Sequence, residues 1–134
     1  PGGMLGKSLL LVKDIMHIGD EIPYVSESDK LSIGLIEMSQ KALGMTAVIN
    51  DKNELTGIFT DGDLRRALEK KVDIENTLMH QVMSKKPLVI SPDQLATNAV
   101  EILQGKKITS LIVSQKNKIV GALNIHDLFR AGLM

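Results

Sequence analysis

Thr60 and Asp63 stand three positions apart in the stretch Gly57-Ile58-Phe59-Thr60-Asp61-Gly62-Asp63, where an apolar run gives way to a helical pattern. That placement suits a phosphorylated ligand. The first turn of a helix presents unpaired N–H groups and the positive end of the helix dipole, both favourable to phosphate. A threonine hydroxyl there adds one hydrogen bond to a phosphate oxygen. An aspartate in the same turn is favoured by the dipole and has acceptor capacity for two ribose hydroxyls at once. The block returns as Gly121-Ala122-Leu123-Asn124-Ile125-His126-Asp127, each position 64 further on (121 against 57, 127 against 63). Asp127 keeps the carboxylate. Asn124 replaces the hydroxyl by a bulkier amide, so the second site is expected to be altered or empty. The same residues also have a simpler use without any ligand. Thr60 or Asp61 would cap the helix, worth about 1 kcal/mol, and Asp63 would favour its dipole.

Further candidates cluster around these blocks. Arg65, Arg66 and Arg130 are the only arginines against thirteen lysines, and all three fall in the two closing helices. A guanidinium fork suits phosphate or carboxylate better than an ammonium does. Arg66 and Arg130 align across the repeat while Arg65 aligns with Phe129, so at most one arginine of the first pair is expected to face a ligand. The plainer role is an ion pair with Asp63 or Glu69, or a solvated face. Thr46 and Ser110 align at the starts of the two central strands and are placed to hydrogen-bond a base or sugar, or simply water. His17 and Pro23, from the segment before the first strand, complete the candidate set. The three histidines are scattered and have no cysteine partners, which argues against zinc. No histidine has a positioned nucleophile, so no hydrolytic triad is read here.

The elements that must position these residues follow one order used twice. Val12 to Met16 is a short apolar lead-in, Ile22 to Val25 a strand, and Leu31, Leu35, Met38 and Ala42 one face of a helix. Gly44 is expected to stop that helix in a left-handed turn. Thr46 to Ile49 and Leu55 to Thr60 form a hairpin across Asp51-Lys52-Asn53, and Asp61 to Glu69 closes the copy. In the second copy the lead-in is Thr77 to Met83, the strand Pro87 to Ile90, and the helix face Leu95, Ala99, Ile102 and Leu103. The hairpin runs from Thr109 to Val113 and from Lys118 to Leu123 across Lys116-Asn117, and the last helix from Ile125 to Ala131. Lys70 to Asn76 is a short charged connector. A chain that repeats itself once is a duplicated β-α-β-β-α unit, and its function is expected between the copies.

Composition narrows the rest. Sixteen basic residues balance sixteen acidic ones, which gives no global pull toward nucleic acid or anionic lipid. Tyr24, Phe59 and Phe129 are the only aromatics, too few for a base-stacking surface, so methionine and aliphatic side chains must fill the core. No apolar run is long enough to span a membrane, and no secretory signal is read at the N-terminus. The lack of cysteine fits the cytosol. Residues 1–11 read as an artificial scar and a linker from an upstream domain.

The two in-register blocks resemble those of a CBS-domain pair, the Bateman module, over nearly all of residues 12–134. The resemblance implies an α/β (α+β) fold of two tandem β-α-β-β-α repeats, 12–71 and 77–134, packed with pseudo-two-fold symmetry. It also implies that Thr60 and Asp63 meet the phosphate and ribose of an adenosine nucleotide. Val12-Lys13-Asp14-Ile15-Met16-His17 with Gly19-Asp20-Glu21-Ile22-Pro23, followed by the first block through Arg66, is similar to the C-terminal CBS pair of bacterial arabinose 5-phosphate isomerases. In that family a sugar-isomerase (SIS) domain precedes the pair, carries the chemistry and feeds Kdo and lipopolysaccharide synthesis in the cytoplasm. The resemblance therefore implies a non-catalytic regulatory segment with no required cofactor. Its expected ligand is CMP-Kdo, as an end-product inhibitor, or AMP or ATP, and its expected partners are the SIS domain and a second copy. The alternative is a purely structural oligomerisation module, and an independent enzyme ranks below both.

Overall fold

The computed structural model describes residue 6 and residues 9–134, so the scar expected at the N-terminus lies outside the described residues. In chain order the elements are α1 (Val12–Ile15), a 3₁₀ turn (Gly19–Glu21), β1 (Tyr24–Ser26), α2 (Leu31–Lys41), β2 (Met45–Ile49) and β3 (Leu55–Thr60). They continue with α3 (Asp61–Glu69), α4 (Met79–Val82), β4 (Ser84–Lys85), β5 (Val89–Ile90), α5 (Ala96–Lys106), β6 (Ser110–Gln115), β7 (Lys118–Asn124) and α6 (Ile125–Arg130). None of the described helices is long and apolar enough to cross a membrane.

These elements build two compact units, one of residues 23–87 and one of the N-terminal stretch to residue 22 with residues 88–134. Each lead-in therefore belongs to the unit that holds the other copy's hairpin. In the first unit the sheet order is β1-β2-β3-β4, with β1 parallel to β2 and the remaining pairs antiparallel. In the second it is β5-β6-β7. There the lead-in adds an isolated antiparallel bridge, His17 to Ala122 on β7.

The central strands explain the core. Met45 to Val48 and Leu111 to Val113 are each buried along both faces, which is how a strand covered on two sides must read. Val25, Leu31, Met38, Val48, Phe59, Ala67 and Met79 form one core, while Val12, Ile90, Ala99, Leu103, Leu111, Leu123 and Leu128 belong to the other. The hairpins close as the turn chemistry requires: Asn53 in the first and Lys116 with Asn117 in the second adopt positive φ.

Three local expectations are corrected, and one strand falls outside them. The first helix stops at Ala42, itself left-handed at φ 59°, two residues before Gly44, and the second stops the same way at Lys107, φ 55°. The early stop turns Leu43 inward, where it is 7% exposed. Ala42, assigned to the apolar helix face, is instead this exposed C-cap. Leu95 is the N-cap of α5 and is exposed, so the buried face of α5 is Ala96, Ala99 and Leu103. Ser84 and Lys85, too polar and too short to read as a strand, become β4 because the edge of β3 offers them a ladder. The connector packs onto the first unit. Val72 and Ile74 pack on the first core, and the amides of Ser32 and Leu31 donate to the carbonyls of Ile74 and Thr77.

Candidate functional site

Thr60 ends β3 in extended conformation and caps α3. Its hydroxyl accepts from the Asp63 amide at 3.3 Å, and the Asp63 carboxylate accepts in return from the Thr60 amide at 3.0 Å. This reciprocal box satisfies two of the orphan donors of the first turn. Asp63 is 6% exposed and receives three further donors: the Thr60 hydroxyl at 3.1 Å, Arg66 at 2.7 Å and the Ser84 hydroxyl at 2.8 Å. Four donors fill the roughly four lone-pair positions of a carboxylate. A ligand hydroxyl can reach Asp63 only by exchange with one of them, and Arg66, with its side chain 62% exposed, is the donor with most room to leave. Capping and ligand contact thus draw on the same atoms. Thr60→Ala should lower stability by about 1 kcal/mol through the lost cap alone, measured by urea unfolding without ligand.

The second copy repeats the design with different residues. Asn124 ends β7 and caps α6, its side-chain oxygen accepting from the His126 amide at 3.0 Å. Its side-chain nitrogen donates to the Ser110 hydroxyl at 3.0 Å. Asp127, 5% exposed, accepts from the Asn124 amide at 2.7 Å, from His17 Nε2 at 2.8 Å and from Arg130. His17 also places Nδ1 2.7 Å from Glu21. Burial is the largest single influence on His17 and opposes charge. The hydrogen bonds and charges of Glu21 and Asp127 together outweigh it and raise its pKa above the usual 6.5. His17, Glu21, Asp127 and Arg130, with Ile15, Met16 and Ala131, line an open cleft of about 390 Å³.

The remaining candidates divide by unit. Thr46 is fully buried and donates to the Ala47 carbonyl at 3.2 Å, opposite Phe59 in the ladder. Pro23 accepts at its carbonyl from the Ala47 amide at 3.0 Å, so it anchors the start of β1. Asp61 and Arg65 are exposed on α3, and the Asp61 amide donates to the Gly44 carbonyl at 3.3 Å. The first unit brings Thr60, Asp63 and Arg66 together; the second brings His17, Ser110, Asn124, Asp127 and Arg130 together. Sequence reasoning missed Ser84. A signal was available, because Met79 to Ser84 matches Val12 to His17 in length and apolar pattern, which sets Ser84 against His17. The first residue of each block has its own role. A Cβ on Gly57 would lie 2.4 Å from Met83 Sδ, and one on Gly121 2.5 Å from Met16 Sδ.

Comparison with known proteins adds to this geometry. A family model described as the CBS domain matches residues 12–70 and 79–133. The arabinose 5-phosphate isomerase KdsD of Pseudomonas aeruginosa is 46% identical over 136 residues, covering all of this chain and 42% of that protein. The Escherichia coli K12 protein of the same name is 44% identical over 135 residues, covering 100% of this chain and 41% of that protein. The chain thus spans about two fifths of the length of these relatives. Among solved structures, CBSX2 in complex with AMP superposes with a TM-score of 0.77 at 25% identity, covering 92% of this chain and 96% of that one.

Proposed function

From the premise that this chain belongs to the CBS domain family, which it carries in two copies, we propose that it is the regulatory segment of an arabinose 5-phosphate isomerase. It binds a nucleotide and passes that state to a catalytic SIS domain elsewhere in the protein, with a second copy of the chain as its assembly partner. The observation that supports this reading is the likeness, along the whole of this chain and about two fifths of the relative, to isomerases of that name, 46% identical in one case. The segment itself performs no catalysis in this reading. The ligand sits at the strand-to-helix junctions, its phosphate toward the first turn of α3 and its ribose hydroxyls exchanging onto Asp63 as Arg66 swings out. Freed from Asp63, Arg66 is then available to the phosphate. AMP is supported by the CBSX2 complex, and CMP-Kdo shares the same ribose and phosphate while adding a carboxylate matched to the arginines. Regulation follows when the ligand prefers one arrangement of the segment, with coupling of typically about 1–3 kcal/mol.

Thermal unfolding of the chain against AMP, ADP, ATP, CMP, CMP-Kdo and arabinose 5-phosphate tests the reading. A specific ligand at about 100 times its Kd stabilises by roughly 2.7 kcal/mol, a rise of several degrees. A rise with CMP-Kdo or CMP alone identifies an end-product sensor, and a rise with adenine nucleotides an energy sensor. No rise with any of them overturns ligand regulation in favour of a purely structural role. Undiminished affinity in a Thr60→Ala/Asp63→Ala variant, measured by calorimetry, overturns the assigned site.

A further inference from the structure

The two lead-ins meet their motif carboxylates at equivalent places with different chemistry. Ser84 Oγ donates to Asp63 Oδ1 at 2.8 Å; His17 Nε2 lies 2.8 Å from Asp127 Oδ1. The backbones correspond as well. Ser84 lies opposite Ile58, and His17 opposite Ala122, which is the same position of the repeat. Around Ala122 the bridge is closed by two amides, His17 donating to the Ala122 carbonyl at 2.8 Å and Ala122 to the His17 carbonyl at 3.1 Å. A serine hydroxyl keeps its proton throughout the physiological pH range. An imidazole does not.

Both ring nitrogens of His17 face carboxylate oxygens, Glu21 at 2.7 Å and Asp127 at 2.8 Å. Ionised carboxylates only accept, so both nitrogens must carry hydrogen and the ring in this arrangement is the imidazolium. A neutral ring has one N–H, and its bare nitrogen would confront a carboxylate lone pair at hydrogen-bond distance. The charged groups facing the ring are Glu21 from the 3₁₀ turn and Asp127 and Arg130 from α6, while β7 contributes the backbone of Ala122. We propose that His17 is a proton-operated latch, fastening the N-terminal lead-in to β7 and α6 when charged and releasing it when neutral, whereas Ser84 makes the corresponding fastening of the other lead-in independent of pH. The raised pKa sets the direction. The latch contributes fully below pH 6.5 and is lost as pH rises through the higher folded value. Its geometry is that of the ligand-free chain, so its test does not depend on the proposed nucleotide binding.

The experiment is an NMR titration of the ligand-free chain, following the His17 ring nitrogens and the exchange protection of the His17 and Ala122 amides, corrected for intrinsic rates. His17 should titrate above 6.5, and protection should fall through that same pH. Each unit of pKa displacement corresponds to about a tenfold loss of protection. In His17→Ser, which copies the solution used at Ser84, protection should persist and lose its pH dependence. Glu21→Gln, at an exposed position, should bring the His17 midpoint down and provides the test if the serine variant fails to fold. A wild-type midpoint at or below 6.5, an unmoved midpoint in Glu21→Gln, or the wild-type pH dependence in His17→Ser would overturn the latch.

Discussion

Asp127→Ala is expected to lower the unfolding free energy by roughly 2–4 kcal/mol and the melting temperature by about 10 °C. The carboxylate is nearly inaccessible and ties the β7–α6 junction to the N-terminal lead-in. Its loss removes Asp127's half of the capping box of α6, stripping the Asn124 amide of its 2.7 Å acceptor while the Asn124 side chain still caps the helix through the His126 amide, and it leaves charged His17 with Glu21 alone. A buried donor without a partner costs about 1–3 kcal/mol. Arg130 adds little, because its side chain is 68% exposed and returns to water. The pH dependence separates these contributions. At a pH above the raised His17 pKa the wild type has already lost the charged bond, so the penalty of Asp127→Ala should shrink there. Asp63→Ala, where the equivalent donor is Ser84, should show no such change over the same interval. Urea unfolding at pH 6 and pH 9 measures both; a penalty below about 1 kcal/mol for Asp127→Ala at pH 6 would refute the account.

The hairpins, helices and capped junctions were legible because each carries its own local signal. Leu55 to Thr60 alternates buried with half-buried residues as a strand should, and Thr60 caps the helix it precedes. The repeat offset also set Asn124 and Asp127 in correct correspondence with Thr60 and Asp63. The partnership of each lead-in was not legible. Nothing in Val12 to His17 says that it packs with residues 88–134, because burying an apolar stripe is non-directional and either sheet would serve. That is why His17 and Asp127 could each be named as candidates while their pairing across 110 positions could not. It is also why Ser84, a hydroxyl in an unremarkable polar stretch, escaped notice although it holds Asp63. The αL stop at Ala42 was hidden for a different reason. Local chemistry favours glycine there, and the inward turn of Leu43 overrides it at about 1–2 kcal/mol for a non-glycine residue.

Gly57→Ala is expected to cost roughly 1–3 kcal/mol, and Met83→Ala to recover part of that loss in the double variant. In a sequence motif associated with ligands, glycine invites a reading as close approach to phosphate. The structure gives it another occupant. A Cβ at Gly57 would stand 2.4 Å from Met83 Sδ, 2.8 Å from its Cγ and 3.0 Å from the Ser84 carbonyl oxygen. The thioether can move aside, since methionine is unbranched and adaptable. The carbonyl cannot move without opening the short β3–β4 ladder that presents Ser84 to Asp63. Gly121 has the same surroundings, with Met16 Sδ at 2.5 Å and the His17 carbonyl at 3.0 Å. Each glycine is therefore a seat for the methionine immediately before the residue that holds the motif carboxylate, and filling the seat should disturb that carboxylate as well as the packing. A double-mutant cycle on Gly57 and Met83 should give a coupling of about 0.5–3 kcal/mol, and the cycle on Gly121 and Met16 a similar value. Strict additivity in both cycles would mean that the methionines do not occupy these seats in solution. Coupling in both would make the glycine of each block a structural determinant of its carboxylate, acting through the methionine and the residue that follows it.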